Sequence, residues 1–369
     1  MKRAIVSVTN DLVTDQRVHR TTTALLEAGY AVTLVGRMRK RSLAFSMHGV
    51  EAVRMNLIFE KGVLFYAEYN MRLFFFLLSH RSELLFSNDL DTLLPNFLVA
   101  RFRQCLLIYD THEYFTGVPE LMGRPFVQGV WKRLEAWIFP RLKKVITVND
   151  SIAALYFKDY GIRPAVVRNV PMKSEPTSIK NKADFGIQQT MKVILYQGAG
   201  INIDRGLEEA IQAMAFLEGV VLLIVGGGDV LEQLKADVIR LGFSDKVVFA
   251  GKVSPQELRS ITPIANLGLC IDKDTNVNYR FSLPNKLFDY IHAGVPVLAS
   301  RLPEVERIVS EYEVGAFIES HKPKHIADCI QALLVNQDLM QRYSQNCIQA
   351  AEVLNWDQEK KRLLQIINS

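Results

Sequence analysis

Long hydrophobic runs, clustered cysteines and repeats are what this 369-residue sequence has least of. Its most apolar stretch, Val63 to Ser79, is broken by Glu68, Asn70 and Arg72 and falls short of the roughly 20 residues that span a bilayer. It reads as a buried helix. Cysteine stands only at 105, 270, 329 and 347, with no Cys-x-x-Cys pair and no histidines at zinc-ligand spacing, which argues against a disulfide framework or structural zinc and for a reducing compartment. The opening Met-Lys-Arg-Ala-Ile-Val-Ser-Val meets Asn10 and Asp11 too soon to be the apolar core of a signal peptide, so a cytoplasmic location is expected. Heptads, short-period repeats and low-complexity tracts are absent.

What is present is the composition of a globular chain, 49% hydrophobic and 22% charged, long enough for two cores. Charge is uneven. Residues 1 to 175 carry 24 Lys and Arg against 16 Asp and Glu, and the remainder 20 against 23. A basic N-terminal half, with Arg37, Arg39, Lys40 and Arg41 as one cluster, suits an anionic lipid or acceptor, and equally a solvated face. No nucleic-acid module or interleaved aromatic pattern accompanies it, so nucleic acid is not an expected partner.

Apolar runs alternate with amphipathic stretches twice over. Strands are expected at 4–8, 31–35, 83–86, 106–109 and 145–148, and again at 193–196, 220–225, 246–249, 267–271 and 296–300. Helices fit between them, with Val18, Leu25, Leu26 and Ala28 on one face closed by Gly29. Strands joined through helices imply parallel sheets, and ligands then gather outside the carboxyl ends of the strands. Asn10-Asp11, Asn88-Asp89 and Asp110-Thr111-His112-Glu113 would converge there. Pro171 to Gln189 loses the apolar periodicity. The boundaries expected are 1–170 for an N-terminal Rossmann-like domain, 171–189 for a linker, 190–354 for a second such domain, and 355–369 for an amphipathic helix packing back toward the first.

Two segments carry the most chemistry. In Tyr196-Gln-Gly-Ala-Gly-Ile-Asn-Ile-Asp-Arg205-Gly206, Gly198 and Gly200 let backbone approach a ligand, and Arg205 adds positive charge beside a helix start, a combination suited to a diphosphate. In Ser282-Leu-Pro-Asn-Lys286-Leu-Phe-Asp289, Pro284 suits the first helical turn. Lys286 stands near the positive helix end, and Asp289 follows on roughly the same side. Lysine toward phosphate and carboxylate toward ribose is a coherent division of labour; plain turn glycines and a surface ion pair are the bland readings.

Together these segments resemble the GT-B glycosyltransferases of family 4, the retaining bacterial branch with an Arg-Gly helix start and a Pro-Asn-Lys-Leu-Phe-Glu-Tyr type segment. Thr9 to Arg20, Asp110 to Glu113, Val225-Gly-Gly-Gly-Asp229 and Ala250-Gly-Lys-Val-Ser-Pro255 look like that branch's other loops, so the resemblance spans nearly the whole chain. It implies an α/β chain of two Rossmann-like domains facing each other across a cleft. The C-terminal domain would hold a UDP- or GDP-sugar, and the N-terminal domain a glycan or lipid-linked acceptor. The nucleotide sugar is a substrate, and neither cofactor nor metal is expected. Carried over position by position, Arg205 and Lys286 hold the diphosphate and Asp289 the ribose. The backbone of Gly251, Lys252 and Val253 holds the base, and Gly227 and Asn285 line the donor. His112 contacts the sugar, with Asn10, Asp15, Arg17, Asp89 and Glu113 on the acceptor side. Transfer would proceed with retention by front-face attack, in polysaccharide or lipopolysaccharide synthesis, with peripheral association at the inner face of the cell membrane.

The sequence departs from that family in two places. Many members carry two glutamates separated by seven residues. Here Phe281 takes the first position and Asp289 the second. Ala199 and Gly200 stand where a basic residue often follows the first strand of the C-terminal domain. Three other readings remain: a GT-B sugar-nucleotide 2-epimerase, a non-catalytic GT-B subunit motivated by Phe281, and a GT-A enzyme using Asp89-Leu-Asp91 to hold a metal.

Overall fold

A computed structural model describes residues 1–13, 15–40, 42–173 and 178–369. Thr14 of the first loop, Arg41 of the basic cluster and residues 174–177 of the linker region lie outside the described residues. The chain forms two compact units, Met1–Asn169 with Glu359–Ser369, and Val170–Gln358.

The first unit contains β1 (Arg3–Asp11), α1 (Gln16–Glu27), β2 (Ala31–Met38), β3 (Val50–Asn56), α2 (Gly62–Ser79), β4 (Leu84–Asn88), α3 (Leu90–Arg103), β5 (Leu106–Thr111), α4 (Pro125–Ile138), β6 (Lys144–Thr147), α5 (Asp150–Tyr160) and β7 (Ala165–Val166). Its seven parallel strands run in the order β3-β2-β1-β4-β5-β6-β7. The order reverses between β1 and β4, and a crevice opens at such a switch point beyond the strands' carboxyl ends. All five expected strands are there. The sequence reading missed β3, which is half exposed, and β7, which is two residues long.

The stretch read as a buried helix is α2, and it buries one face only. Phe65, Tyr69, Leu73 and Leu77, spaced four apart, enter the core with Ile5, Val35 and Leu85. Val63, Leu64, Met71 and Phe75 are exposed. No described helix is long and apolar enough to cross a membrane. The face expected for α1 also needs correction, because Ala28 caps the helix and is exposed.

The second unit follows the same plan with β8 (Lys192–Gly198), α6 (Leu207–Ala213), β9 (Val220–Gly226), α7 (Leu231–Arg240), β10 (Val247–Gly251), α8 (Pro255–Ile261), β11 (Leu267–Cys270), α9 (Val277–Arg280), α10 (Asn285–His292), β12 (Val297–Ser300), α11 (Pro303–Glu311), β13 (Gly315–Ile318), α12 (Pro323–Val335) and α13 (Gln337–Ala351). The strand order is β10-β9-β8-β11-β12-β13, all parallel, with the switch point between β8 and β11. Near-continuous apolar strands are the mark of a sheet covered on both faces. Val193, Leu195, Val221 and Leu223 pack into one core, while their neighbours Ile194, Tyr196, Leu222 and Ile224 pack into another.

The last helix, α14 (Trp356–Asn368), gives its final turns to the first unit. There Glu359 accepts the amide of Arg168 at 3.0 Å, and Lys144 donates to the carbonyl of Ile366 at 2.7 Å. A cationic side chain at a helix carboxyl end compensates its unpaired carbonyls.

Candidate functional site

At the switch point of the second unit, Arg205 follows β8 and Asp272 follows β11. Gly206 fixes this approach. Its φ is +78°, and an added Cβ would lie 2.2 Å from the carbonyl oxygen of Ile271. Only glycine lets the loop press so closely on the end of β11. Arg205 Nη1 then donates to Asp272 Oδ2 at 2.8 Å, and Lys286 Nζ, from the first turn of α10, donates to Oδ1 at 2.8 Å. One carboxylate, 1% exposed, holds both cations.

Aromatic rings complete the arrangement. The guanidinium lies 3.9 Å over Tyr279, and the Lys286 ammonium lies 4.3 Å over Tyr196, whose hydroxyl it also reaches at 3.3 Å. Burial opposes the Lys286 charge, but the Asp272 carboxylate outweighs it and holds the ammonium's pKa above its ordinary value. Burial likewise opposes, and Asp272 restores, the Arg205 charge. Two cations and one anion leave a net positive charge. Among the described residues the buried Nε of Arg205 has no hydrogen-bond partner.

The same loop runs back to a glycine-lined hollow of about 540 Å³ that includes Gly200, Gly227 and Lys252. Gly198 borders it, its carbonyl accepting the Gly227 amide at 3.2 Å. A Cβ on Gly226 would stand 1.8 Å from that carbonyl oxygen, so β8 and β9 meet here only through glycine. Val253 packs against the core rather than lining the hollow. Asn285 begins α10 in an exposed position, and Pro284 stands one residue ahead of the helix rather than within its first turn. Asp289 accepts from Gln197 Nε2 at 3.1 Å, and Phe281 caps α9.

In the first unit the loops after β1, β4 and β5 meet at its own switch point. His112 is the hub. Its Nδ1 lies 3.2 Å from Asp89 Oδ2, its Nε2 lies 3.3 Å from Asn88 Oδ1 and 3.6 Å from Asp110 Oδ2, and its amide donates to Asp89 Oδ1 at 3.0 Å. Burial disfavours the imidazolium, but Asp89 and Asp110 outweigh it and hold the pKa up at about 9. Asp110 sits near 2: burial would raise it, but the Arg17 guanidinium overrides that with bonds of 2.6 and 2.9 Å. Asp89 has φ +59° and ψ 166°, a conformation non-glycine residues seldom adopt and one found at sites where surrounding contacts impose it.

The other acceptor-side residues have definite places. Arg17 is buried and also donates to the carbonyl of Val167 at 2.9 Å, so its contact is with Asp110. Asp15 caps α1 by accepting the Val18 amide, and exposed Asn10 donates to it at 3.3 Å. Glu113 exposes its side chain, while its carbonyl accepts the hydroxyls of Thr111 and Tyr156 at 2.5 and 3.3 Å. Asp89 and Asp91 do not form an open pair. Asp89 faces His112, whereas Asp91 accepts the Thr9 hydroxyl at 2.5 Å in a buried position that pushes its carboxyl up to about 7. Among the described residues, no group of three or more His, Cys, Asp or Glu is arranged around a metal position. Arg37 of the basic cluster lies over the Phe65 ring at 4.6 Å.

Asp272 is the member of this charge cluster that sequence reasoning missed. A polar residue at the end of an apolar strand at the switch point was the available signal, since Asp89 occupies the equivalent place after β4.

Two family models match the chain, Glycosyltransferase Family 4 over residues 15–171 and Glycosyl transferases group 1 over residues 178–350. Phosphatidyl-myo-inositol mannosyltransferase of Mycobacterium leprae is 26% identical over 189 residues, 49% of this chain and 47% of that protein. The match thus spans less than half the length of that curated relative. Among solved structures, sucrose-phosphate synthase from Thermosynechococcus elongatus superposes with a TM-score of 0.80 at 16% identity, covering 100% of this chain and 98% of that one. The Anabaena protein HepE in complex with UDP-glucose gives 0.74 at 14% identity, with both chains fully covered. At these identities the structures show the shared GT-B fold of two Rossmann-like units.

The charge network makes a direct prediction. The His112 ring, followed by NMR against pH, is expected to titrate near 9, and Asp89→Asn to bring it back toward the ordinary 6.5. Because the folded value is the raised one, the associated stability is complete below about pH 6.5 and lost as pH rises through 9. A midpoint near 6.5 in the unaltered protein would contradict the assignment.

Proposed function

We propose that this chain, which a Glycosyltransferase Family 4 model matches over residues 15–171 and a group 1 model over residues 178–350, moves one sugar from a UDP- or GDP-sugar to a glycan or lipid-linked acceptor. The observation that carries this reading is the meeting of Arg205 and Lys286 on one buried carboxylate at a switch point. Departure of a nucleoside diphosphate builds negative charge on its β-phosphate, and fixed donors in a partly desolvated site stabilise that charge without reorganising. Arg205 and Lys286 supply those donors.

In this reading the bond between the sugar C1 and the β-phosphate oxygen breaks, and the acceptor hydroxyl oxygen bonds to C1. Its proton passes to the departing phosphate, and the configuration at C1 is retained. No metal takes part. His112 is already protonated at neutral pH, so it serves by donating a hydrogen bond to a sugar hydroxyl rather than by taking a proton. Asp289 holds the ribose, the loop Gly251 to Val253 the base, and Asp89 with Asn10 the acceptor. The hollow beside Gly200 and Gly227 supports a nucleotide at that end of the loop, since glycines there let a ligand reach the backbone and Lys235 and Lys252 add positive charge to its wall. The M. leprae relative is named for a lipid acceptor and HepE was solved with UDP-glucose. Both agree with the substrate classes proposed.

Association with an anionic membrane is the second part of the proposal. Helices α2, α3 and α4 lie side by side through the ring contacts Tyr66–Trp131 and Phe97–Trp137. They leave Phe75, Phe102, Phe126 and Trp137 exposed, and on α4 the exposed Lys132 and Arg133 fall between Phe126 and Trp137 in sequence. Aromatic side chains interspersed with cations suit the interface of an acidic bilayer. This surface stands beside the exposed Arg39 and Lys40 of the basic cluster as a candidate contact.

Two experiments test these statements. Saturating UDP or GDP is expected to raise the melting temperature, with about 2.7 kcal/mol of stabilisation at a hundredfold excess over Kd. Arg205→Ala and Lys286→Ala should remove that shift and lower donor turnover by about 100-fold or more. Full turnover in both variants would overturn the diphosphate assignment. Separately, the protein should sediment with phosphatidylglycerol vesicles and far less with phosphatidylcholine vesicles. Phe126→Ser with Trp137→Ser should weaken that binding about tenfold, and unchanged binding would place the contact elsewhere.

A further inference from the structure

The buried face of α4 carries an acid that the reaction scheme leaves unused. Glu135 is 0% exposed, and its two oxygens accept from Tyr156 at 3.3 Å and Tyr160 at 2.8 Å, both on α5. The Tyr156 hydroxyl is also 3.0 Å from Thr111 Oγ1 and 3.3 Å from the carbonyl oxygen of Glu113, and it accepts the Phe115 amide at 3.4 Å. Thr111 and Glu113 flank His112. One phenol therefore ties together the turn that aims the imidazole and a carboxyl one helix away.

We propose that Tyr156 and Glu135 are positioning residues for His112, the tyrosine hydroxyl passing its single hydrogen between the Thr111–Glu113 turn and the buried carboxyl. The inference rests on the role proposed for His112. The hydrogen inventory gives the mechanism. A phenol has one hydrogen to donate and two lone pairs, of which the Phe115 amide takes one. When Glu135 is ionised it is the strongest acceptor in reach and draws the hydrogen to itself. When Glu135 is protonated it donates to the second lone pair, and the phenol hydrogen turns to the Glu113 carbonyl and steadies the loop. No proton is consumed within the turn; the carboxyl exchanges one with solvent.

The groups facing Glu135 favour a change near neutrality. Burial raises its pKa, and the Tyr160 and Tyr156 hydroxyls offset part of that, leaving it at about 7. From α5 Asp159 also faces it, from β5 Tyr109, and from the loop before α4 Tyr114. None of these is a cation that would keep the carboxylate ionised. The Tyr156 ring is held independently, stacked on Phe139 at 4.7 Å with the planes 8° apart, so the hydroxyl can be removed without emptying the core.

The test is the His112 ring signal followed against pH in the full chain, beside steady-state transfer. The unaltered protein is expected to show a small inflection near pH 7 in addition to the main one near 9. Glu135→Gln should remove the lower inflection and keep the upper, because the amide can donate to Tyr156 while accepting from Tyr160. Tyr156→Phe should remove the lower inflection, move the upper toward 6.5, and cut kcat about tenfold with donor KM within twofold. Asp91 titrates in the same range and neighbours Asp89, so a lower inflection that survives Glu135→Gln belongs to it and overturns the proposal. An upper midpoint unmoved in Tyr156→Phe overturns it as well. The ring signal needs no turnover, so both inflections behaving as stated in a protein without transferase activity would contradict the proposed function and leave the positioning intact.

Discussion

Asp272 is the carboxylate on which the candidate donor site depends. An isolated ammonium as buried as Lys286 would shed its proton or its burial, because removal from water costs several kcal/mol even after relaxation. With Arg205 on the other oxygen, the carboxylate has both its charge and its hydrogen-bonding capacity met by cations. Such a buried pair is a weak contributor to net stability, since a well-packed apolar replacement is often as stable. Its presence is better explained by what it holds ready: donors of fixed position and net positive charge at the carboxyl ends of parallel strands. The glycine at 206 belongs to the same device, because without it Arg205 could not approach the end of β11.

The first unit solves a related problem with the signs exchanged. There two carboxylates, Asp89 and Asp110, keep a histidine charged at neutral pH, and Arg17 keeps Asp110 from protonating. Asp89 accepts an unfavourable backbone conformation to bring both its oxygens to His112, which is the kind of cost that a merely structural loop would shed. Both clusters lie where the strand order of their sheet reverses. That position follows from topology alone, since helices leaving neighbouring strands in opposite directions leave a gap there.

Much of this was legible in the residues. Five of the six strands of the second half read clearly because they are largely apolar and end in polar turns, while the short, half-buried edge strand β13 was missed, and Arg205, Lys286 and His112 stood out through segments of recognisable type. What could not be read was pairing across long separations. Arg205 and Asp272 are 67 residues apart, and a polar position after an apolar strand does not by itself say which cations meet there. The burial of α2 was misjudged for a different reason. Aromatic and aliphatic residues occur on several sides of that helix, and only the four-residue spacing of Phe65, Tyr69, Leu73 and Leu77 shows which side the core takes. Strand β3 escaped because half-exposed residues such as Glu51 and Arg54 blur its alternation.

The most direct measurement is a crystal structure of the protein with UDP or GDP bound. The account predicts β-phosphate oxygens within about 3 Å of both the Arg205 guanidinium and the Lys286 ammonium, with Asp272 still between the two cations. A diphosphate bound elsewhere, with Lys286 enclosed by Asp272 and Tyr196 and out of its reach, would contradict it.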